Sequence, residues 1–418
     1  MQAPCSCRAG GRSMGKTDYV IRVSDGPSGV DAAAWDALLA AQSAPTPFMR
    51  HAYLAAMQES GSATAATGWN AHFITLHHAE RLCAGCVVYL KDHSYGEYVF
   101  DWAWASAYQR HGLPYYPKAV IAVPFTPVPG SRLLASDGPA RAALLQAVQA
   151  WCESVGVSSA HMLFASEPDM QAATAGSWME RHTVQFHWHN TSPGYSGFDA
   201  FLHSLNREKR KKIKQERRKV ADAGVTFRHT LGAAISEADW DFFYRCYAQT
   251  YREHGNPPYL TRDFFGRMAS TMPEHWLLFV AEREGRKIAS SLIAVGAIST
   301  GDSGTFDPQN RVAYGRYWGS LESVDCLHFE ACYYQPLQWC IEHGYLRFEG
   351  GAQGEHKMAR ALLPVKTSSA HWLQHPSFAQ AVQEFLEREG AGVQNYMEHL
   401  EQRNPLKQAA SPRTAGQS

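Results

Sequence analysis

The chain carries one pattern twice, and that repetition limits what it can fold into. HFITLHHAERLCAGCVVYL, from His72 to Leu90, places apolar runs on both sides of a short polar turn, and LLFVAEREGRKIASSLIAV, from Leu277 to Val295, does the same. Both predict a β-hairpin. Further along, AVQAWCESVGVSSAHMLFA and PLQWCIEHGYLRFEGGA each read as a helix, a glycine stop and a strand, with Trp151-Cys152 matching Trp339-Cys340. The copies lie roughly 190 to 200 residues apart, so the simplest reading is two α/β domains in tandem. A chain of 418 residues, 45% hydrophobic, can bury the cores that this requires. The turn-rich TSPGYSG sets the boundary near Ser192 to Gly197. It divides the chain into a disordered leader over 1–17, domains over 18–191 and 192–403, and a tail over 404–418 expected to be disordered.

Composition excludes several functions. The formal net charge is zero, so no global field draws the chain to DNA or to an acidic membrane. No apolar run approaches the roughly 20 residues that span a bilayer. The leader MQAPCSCRAGGRSMGK lacks the apolar middle of a secretory signal, and Met14 is an alternative start to Met1. Nine cysteines are scattered among apolar neighbours, which suits a reducing, cytoplasmic compartment. Cys83 and Cys86 form a CxxC inside a turn that feeds a strand, and Cys5 with Cys7 has no matching pair at zinc spacing. Neither a metal nor a bound cofactor is expected.

The chemistry is expected between His328 and Trp372. A helix there ends at Gly344, a buried strand covers Leu346 to Phe348, and a glycine-rich polar loop follows. A loop at the carboxyl end of a strand is where open α/β sheets place their ligands. For proton transfer at such a site, Glu349, His328, Glu330 and His356 are the candidate acceptors. Backbone N–H groups of Gly350, Gly351 and Gly354, with Gln353 or Lys357, suit a carbonyl oxygen that gains charge. Arg316, Trp318 and Tyr333 fit a cleft lining, and His371 is expected to reach the same cleft. At the place matching Glu349-Gly350-Gly351, the first copy reads Ala165, Ser166 and Glu167, which leaves the second copy as the better active-site candidate. In the first copy, the Pro-Gly-Ser-Arg loop leads to a helix near Pro139 whose amino terminus can hold a phosphate. The run NREKRKKIKQERRKV, Asn206 to Val220, reads either as a solvated helix with pairs such as Glu208 and Lys212, or as a phosphate clamp of Lys211, Lys214, Arg217 and Arg218.

Five blocks, in order, carry a resemblance: VPFTPVPGSRLL (Val123 to Leu134), REKRKKIKQERRKVADAGV (Arg207 to Val225), HFEACYY (His328 to Tyr334), FEGGAQGEHKMAR (Phe348 to Arg360) and SSAHW (Ser368 to Trp372). Over about Asp18 to Glu401 the chain resembles the FemAB-like family, a branch of the acetyltransferase-type (GNAT) superfamily related to enzymes that add amino acids to peptidoglycan precursors. The resemblance implies two GNAT-like domains, each a mixed twisted sheet flanked by helices. It implies transfer of an acetyl or aminoacyl group to an amine, with acetyl-CoA or aminoacyl-tRNA as co-substrate. It also implies that the basic run faces a small-molecule or nucleotide-sugar substrate, or a tRNA phosphate. The superfamily's glycine-rich pyrophosphate turn is absent from both copies, which leaves a non-catalytic protein that binds a nucleotide-containing ligand as the alternative. Nucleic-acid binding through the basic run alone is a third reading, disfavoured by the zero net charge.

Overall fold

The computed structural model describes residues 18–296, 311–352 and 354–407. The leader, Phe306, Gln353 and the last eleven residues, 408–418, lie outside them. In the first copy the strands are β1 (Val20–Ser24), β2 (Asn70–His78), β3 (Arg81–Lys91), β4 (Lys118–Ile121), β5 (Leu134–Ala135), β6 (Ser159–Ala165) and β7 (Met179–His189). In the second they are β8 (Val225–Leu231), β9 (Trp276–Arg283), β10 (Arg286–Val295), β11 (Val312–Ser320), β12 (Arg347–Ala352) and β13 (Leu363–Leu373). Apart from the short β5, the copies correspond strand for strand, and several helices fall in matching gaps. A helix pair follows β1 (Ala32–Ala40, His51–Glu59) and β8 (Glu237–Glu253, Arg262–Thr271), and one long helical segment precedes β6 and β12.

Local chemistry explains the elements that the sequence announced. Between β9 and β10, Glu284 and Gly285 both take positive φ, 52° and 72°, the backbone that a tight hairpin turn needs. The helix Gly138–Val155 starts at Asp137, whose carboxylate accepts from the Ala140 N–H at 2.8 Å, and stops at Gly156 with φ 72°. The basic helix Arg207–Asp222 is capped by Asn206 and buries only Ile213, Glu216 and Val220, one narrow stripe at helical spacing.

The two copies do not keep separate sheets. The strand order is β1-β2-β3-β4-β6-β13-β7-β12-β11-β10-β9-β8, with β5 beside β3. Each copy sends its last strand across: β7 pairs with β12, β13 pairs with β6, and β7 and β13 pair with each other. The α/β class and the tandem duplication stand, but the exchange fuses both sheets into one. One aromatic core on the face of the helix pairs spans both copies, where Tyr53 meets Phe264 at 5.3 Å and Phe48 meets Tyr314 at 5.2 Å.

Two expected boundaries move. The strand does not end at Phe348; β12 continues through Ala352, so Glu349, Gly350 and Gly351 are strand residues, not loop residues. The tail expected to be disordered from Asn404 begins with anchored backbone. The Asn206 N–H donates to Pro405 O at 2.9 Å, and the Lys407 N–H donates to Ser204 O at 2.9 Å.

Candidate functional site

Each copy contains one parallel strand pair, and the two pairs behave differently. β11 and β12 share three rungs, Val312 with Arg347, Ala313 with Phe348 and Tyr314 with Glu349, and then part. Two bulges face each other where they separate: Arg316 is the extra residue of β11 against β10, and Gly350-Gly351 lie opposite Phe186 alone on β7. The gap needs glycine. A Cβ on Gly315 would sit 2.9 Å from the Phe348 ring, and one on Gly350 would sit 2.3 Å from Leu362 Cδ2.

The gap opens to both faces of the sheet. On the face of helix Glu237–Glu253 lies a cavity of about 360 Å3, lined by Tyr247, Tyr251, Tyr259 and Tyr317, and by Ser94, Tyr95, Tyr98, Phe100, Trp102 and Phe125 from the first copy. On the other face lies a cavity of about 140 Å3, lined by Ser291, Trp318, His328, Cys332 and Tyr333. Gly315, Arg316, Tyr317 and Gly350 border both.

The sequence candidates are distributed around this gap unevenly. His328 borders the smaller cavity, its ring 5.4 Å from Trp318 and 5.7 Å from Tyr333. Packing, then the neighbouring His356, Arg360 and Lys357, lowers its pKa to about 4, so the imidazole is neutral at physiological pH. No protein group among the described residues hydrogen-bonds to its ring. Glu349 projects from the opposite face, as strand alternation requires one residue after Phe348. It is 3% exposed, accepts from Arg347 Nε at 2.9 Å, and leaves Oε2 without a hydrogen bond. Burial raises its pKa to about 7, against the pull of Arg347 and Arg316.

Other candidates serve the scaffold. Glu330 is not free to act as a base: it accepts from Arg217 Nε at 3.1 Å and from Gln335 Nε2 at 2.7 Å, inside a π-turn (Glu330–Tyr334) of the helical segment. The same pair removes Arg217 from the expected clamp. His356 is exposed and lies 3.4 Å from the Tyr333 hydroxyl, bordering a groove with Lys209, Lys212 and Arg403 instead of the gap. Lys357 Nζ donates to the carbonyls of Gly350 at 2.6 Å and Gly351 at 3.3 Å, bracing the bulge, and burial lowers its pKa to about 8. Gly354, at φ 96°, turns the chain into the short helix Glu355–Arg360, away from the gap. Trp318, Tyr333, Arg316, Gly350 and Gly351 do line the gap. Lys214 and Arg218 are exposed beside a groove of about 480 Å3 along the basic helix, whereas Lys211 is exposed outside it.

His371 does not reach the gap. The exchange of β13 carries it into the first copy, where its Nδ1 lies 2.8 Å from His161 Nδ1 and its ring meets Trp104 edge-on at 5.0 Å. The helix terminus near Pro139 is closed to a phosphate by the Asp137 carboxylate. The expected match of Glu349 with Ala165 also shifts. β6 and β12 both start seven residues after the paired cysteines, so His161 is the counterpart of Glu349 and Met162 that of Gly350. Sequence reasoning missed the first-copy aromatic loop from Ser94 to Trp102. Its signal, YGEYVFDW, was an aromatic run with no strand or helix period.

Among the described residues, no helix is long and apolar enough to cross a membrane, and no three metal-binding side chains converge.

A duplicated α/β unit in which a parallel strand pair parts to make a cleft defines a tandem GNAT-like protein. The chain belongs to the FemAB-like family, described as peptidoglycan biosynthesis/recognition, which matches residues 27–408. It is similar in fold to FemX, at 10% identity over 85% of this chain and 98% of that one, with a TM-score of 0.51. It is likewise similar to L-PGS from Bacillus licheniformis, at 9% identity over 86% and 97% of the two chains, with a TM-score of 0.50. A tandem GNAT protein from the clavulanic acid biosynthesis pathway aligns at 10% identity over 86% of this chain and 99% of its own, with a TM-score of 0.42. No curated protein matches the sequence at a significant level.

Proposed function

We propose that the protein is an acyltransferase that moves an acetyl or aminoacyl group onto an amine in peptidoglycan precursor metabolism, with the reaction in the gap between β11 and β12. The observation that carries this reading is the gap itself, open to a cavity on each face, so that donor and acceptor can approach one another from opposite sides. His328 is the general base, because its neutral ring borders the smaller cavity without a protein partner. Backbone N–H groups at the Gly350-Gly351 bulge are the donors for the carbonyl oxygen as it gains charge. Lys211, Lys214 and Arg218, exposed and without carboxylate partners among the described residues, suit the phosphates of an acetyl-CoA or aminoacyl-tRNA donor, or of a nucleotide-sugar acceptor. Glu349 is buried on the other face and lines neither of the two cavities, so its role is to set the charge beside Arg316.

The pairing of Glu330 with Arg217 and the separation of Glu349 from His328 favour a second reading, a non-catalytic protein that binds a nucleotide-containing ligand. One assay separates the two. Purified protein is incubated with labelled acetyl-CoA or charged tRNA and a UDP-linked muropeptide, and label transfer is followed by mass spectrometry. Transfer that falls about 10²- to 10⁴-fold in His328→Ala supports the enzyme. Saturable binding without transfer supports the binder.

A further inference from the structure

The larger cavity has an unusual balance of groups. Its walls are tyrosine, phenylalanine and tryptophan, and Arg316 is the one charged side chain among the described residues that lines it. Arg316 has no carboxylate partner among the described residues: Nη2 donates to Phe125 O at 2.9 Å and to Thr126 Oγ1 at 3.2 Å, and Nη1, which unlike Nε is not enclosed, donates to no group among the described residues. The acids nearby are already engaged. Glu349 accepts from Arg347, while Glu97 and Asp101, behind the aromatic loop, accept from the buried Lys118. A half-buried guanidinium with a free donor and no carboxylate in contact costs free energy that an incoming anion would offset.

The mouth of the cavity points to the same ligand from a second direction. Tyr95, Phe100 and Trp102 are 62%, 52% and 42% exposed, a cluster of large apolar faces left in water at one edge of the cavity. The loop that presents them is held rigidly. Lys118 Nζ donates to Ser94 Oγ at 2.7 Å and to Glu97 at 2.8 Å, and Lys91 Nζ donates to Tyr95 O at 3.3 Å. Such a loop is a preformed wall for a flat ring.

We infer that this cavity binds a planar organic acid, with its carboxylate on Arg316 and its ring against the aromatic mouth. This deepens the transferase reading by naming the substrate class on that face of the gap. A free cation is excluded by the arginine, and a wholly apolar chain would leave Nη1 unpaired.

The test is calorimetric titration with hippurate (N-benzoylglycine), its uncharged methyl ester, and N-acetylglycine, which lacks the ring. Hippurate should bind at least about tenfold tighter than either analogue. Arg316→Gln should reduce hippurate affinity about 10- to 100-fold, to the level of the ester, and leave the ester unchanged. Should Arg316→Gln fail to fold, Tyr95→Ala at the exposed rim carries the test, with hippurate weakened about threefold and N-acetylglycine unaffected. Equal affinity for acid and ester, no binding of hippurate, or an unchanged Arg316→Gln titration would each overturn the inference. The titrations contain no acyl donor, so a protein that binds hippurate but transfers nothing refutes the transferase reading alone. A working transferase indifferent to hippurate refutes only the acid site.

Discussion

The two parallel strand pairs of this molecule begin alike and end differently. In the first copy β4 and β6 pair at Ala119 with Ala160, Val120 with His161 and Ile121 with Met162. In the second, the rungs equivalent to the first two of these are present, and the one corresponding to Ile121 with Met162 falls at Gly315 and Gly350, where no rung exists. Beyond it, the first copy is filled by its own chain. Gly130 bridges to Ala165, Arg132 Nε donates to Leu163 O at 3.0 Å, and the Arg132 N–H donates to the buried Asp169 at 2.7 Å. Arg132 is 1% exposed, and burial lowers its pKa to about 10. Both copies carry an arginine near the divergence, one as a plug and one beside an open cavity. A parallel pair that diverges makes a gap by geometry, and the segment that follows decides whether the gap becomes core or site.

The largest effect that could break this comparison is at the plug. Arg132→Ala leaves the buried Leu163 and Val128 carbonyls without their donor and opens a cavity in the interior, and is expected to cost about 3–5 kcal/mol in chemical denaturation. Arg316→Gln, at the edge of an open cavity, should cost about 1 kcal/mol. Similar losses at both positions would mean that the plugged and open gaps are not distinct.

The counterparts Glu349 and His161 should give opposite pH signatures. Glu349 titrates higher in the folded state than unfolded, so its contribution to stability is full below its unfolded pKa near 4.5 and is lost as pH rises through about 7. Glu349→Gln should remove a decline on the order of 2 kcal/mol across that window. His161 is lowered to about 3 by burial and then by Lys118, so its contribution is full above pH 6.5 and is lost as pH falls toward 3. Stability measured from pH 3 to 8 in wild type, Glu349→Gln and His161→Gln tests the pair. A Glu349→Gln profile parallel to wild type would remove Glu349 from the titrating groups.

Gly350→Ala sharpens the comparison at the missing rung. The new methyl group meets Leu362 and the Phe186 carbonyl, and should cost about 1–2 kcal/mol while narrowing the gap. A variant that gains stability would show that the gap tolerates closure. The smallest stability change is expected at Arg218→Glu, within about 0.5 kcal/mol, because the side chain is exposed and unpaired. Its affinity for acetyl-CoA or a UDP-linked muropeptide should nonetheless fall. Unchanged affinity for both would end the role of the basic helix in holding phosphate, and Arg217→Ala cannot substitute for it, since that change strips the counter-ion from buried Glu330.

Legibility followed the range of the interactions. The hairpins, the glycine-stopped helices and the duplication were readable because apolar periodicity and stop residues such as Gly156 act over a few residues. Arg316, Trp318 and the glycine pair line the gap from the two strands that form it, and Tyr333 lines it from the π-turn packed beside them. Glu330, Arg217 and His371 were misread because each depends on a partner far away in sequence: Glu330 and Arg217 are 113 residues apart, and His371 and His161 are 210 apart. The aromatic loop of the first copy was missed for the same reason, since it lines a gap made by the second.

By itself the sequence determined two copies of one α/β unit, their element order, the helix termini and the strands most suited to chemistry, because these depend on local backbone preference and on which face of each element is apolar. Tertiary structure alone decided that β7 and β13 change places, that one gap is plugged and the other open, and which ionisable groups face the gap. Strand exchange is settled by pairing between segments such as Thr183 and Thr367, 184 residues apart, and plugging by contacts such as Arg132 with Leu163, 31 apart, and no local pattern in the chain encodes which of those partners will meet.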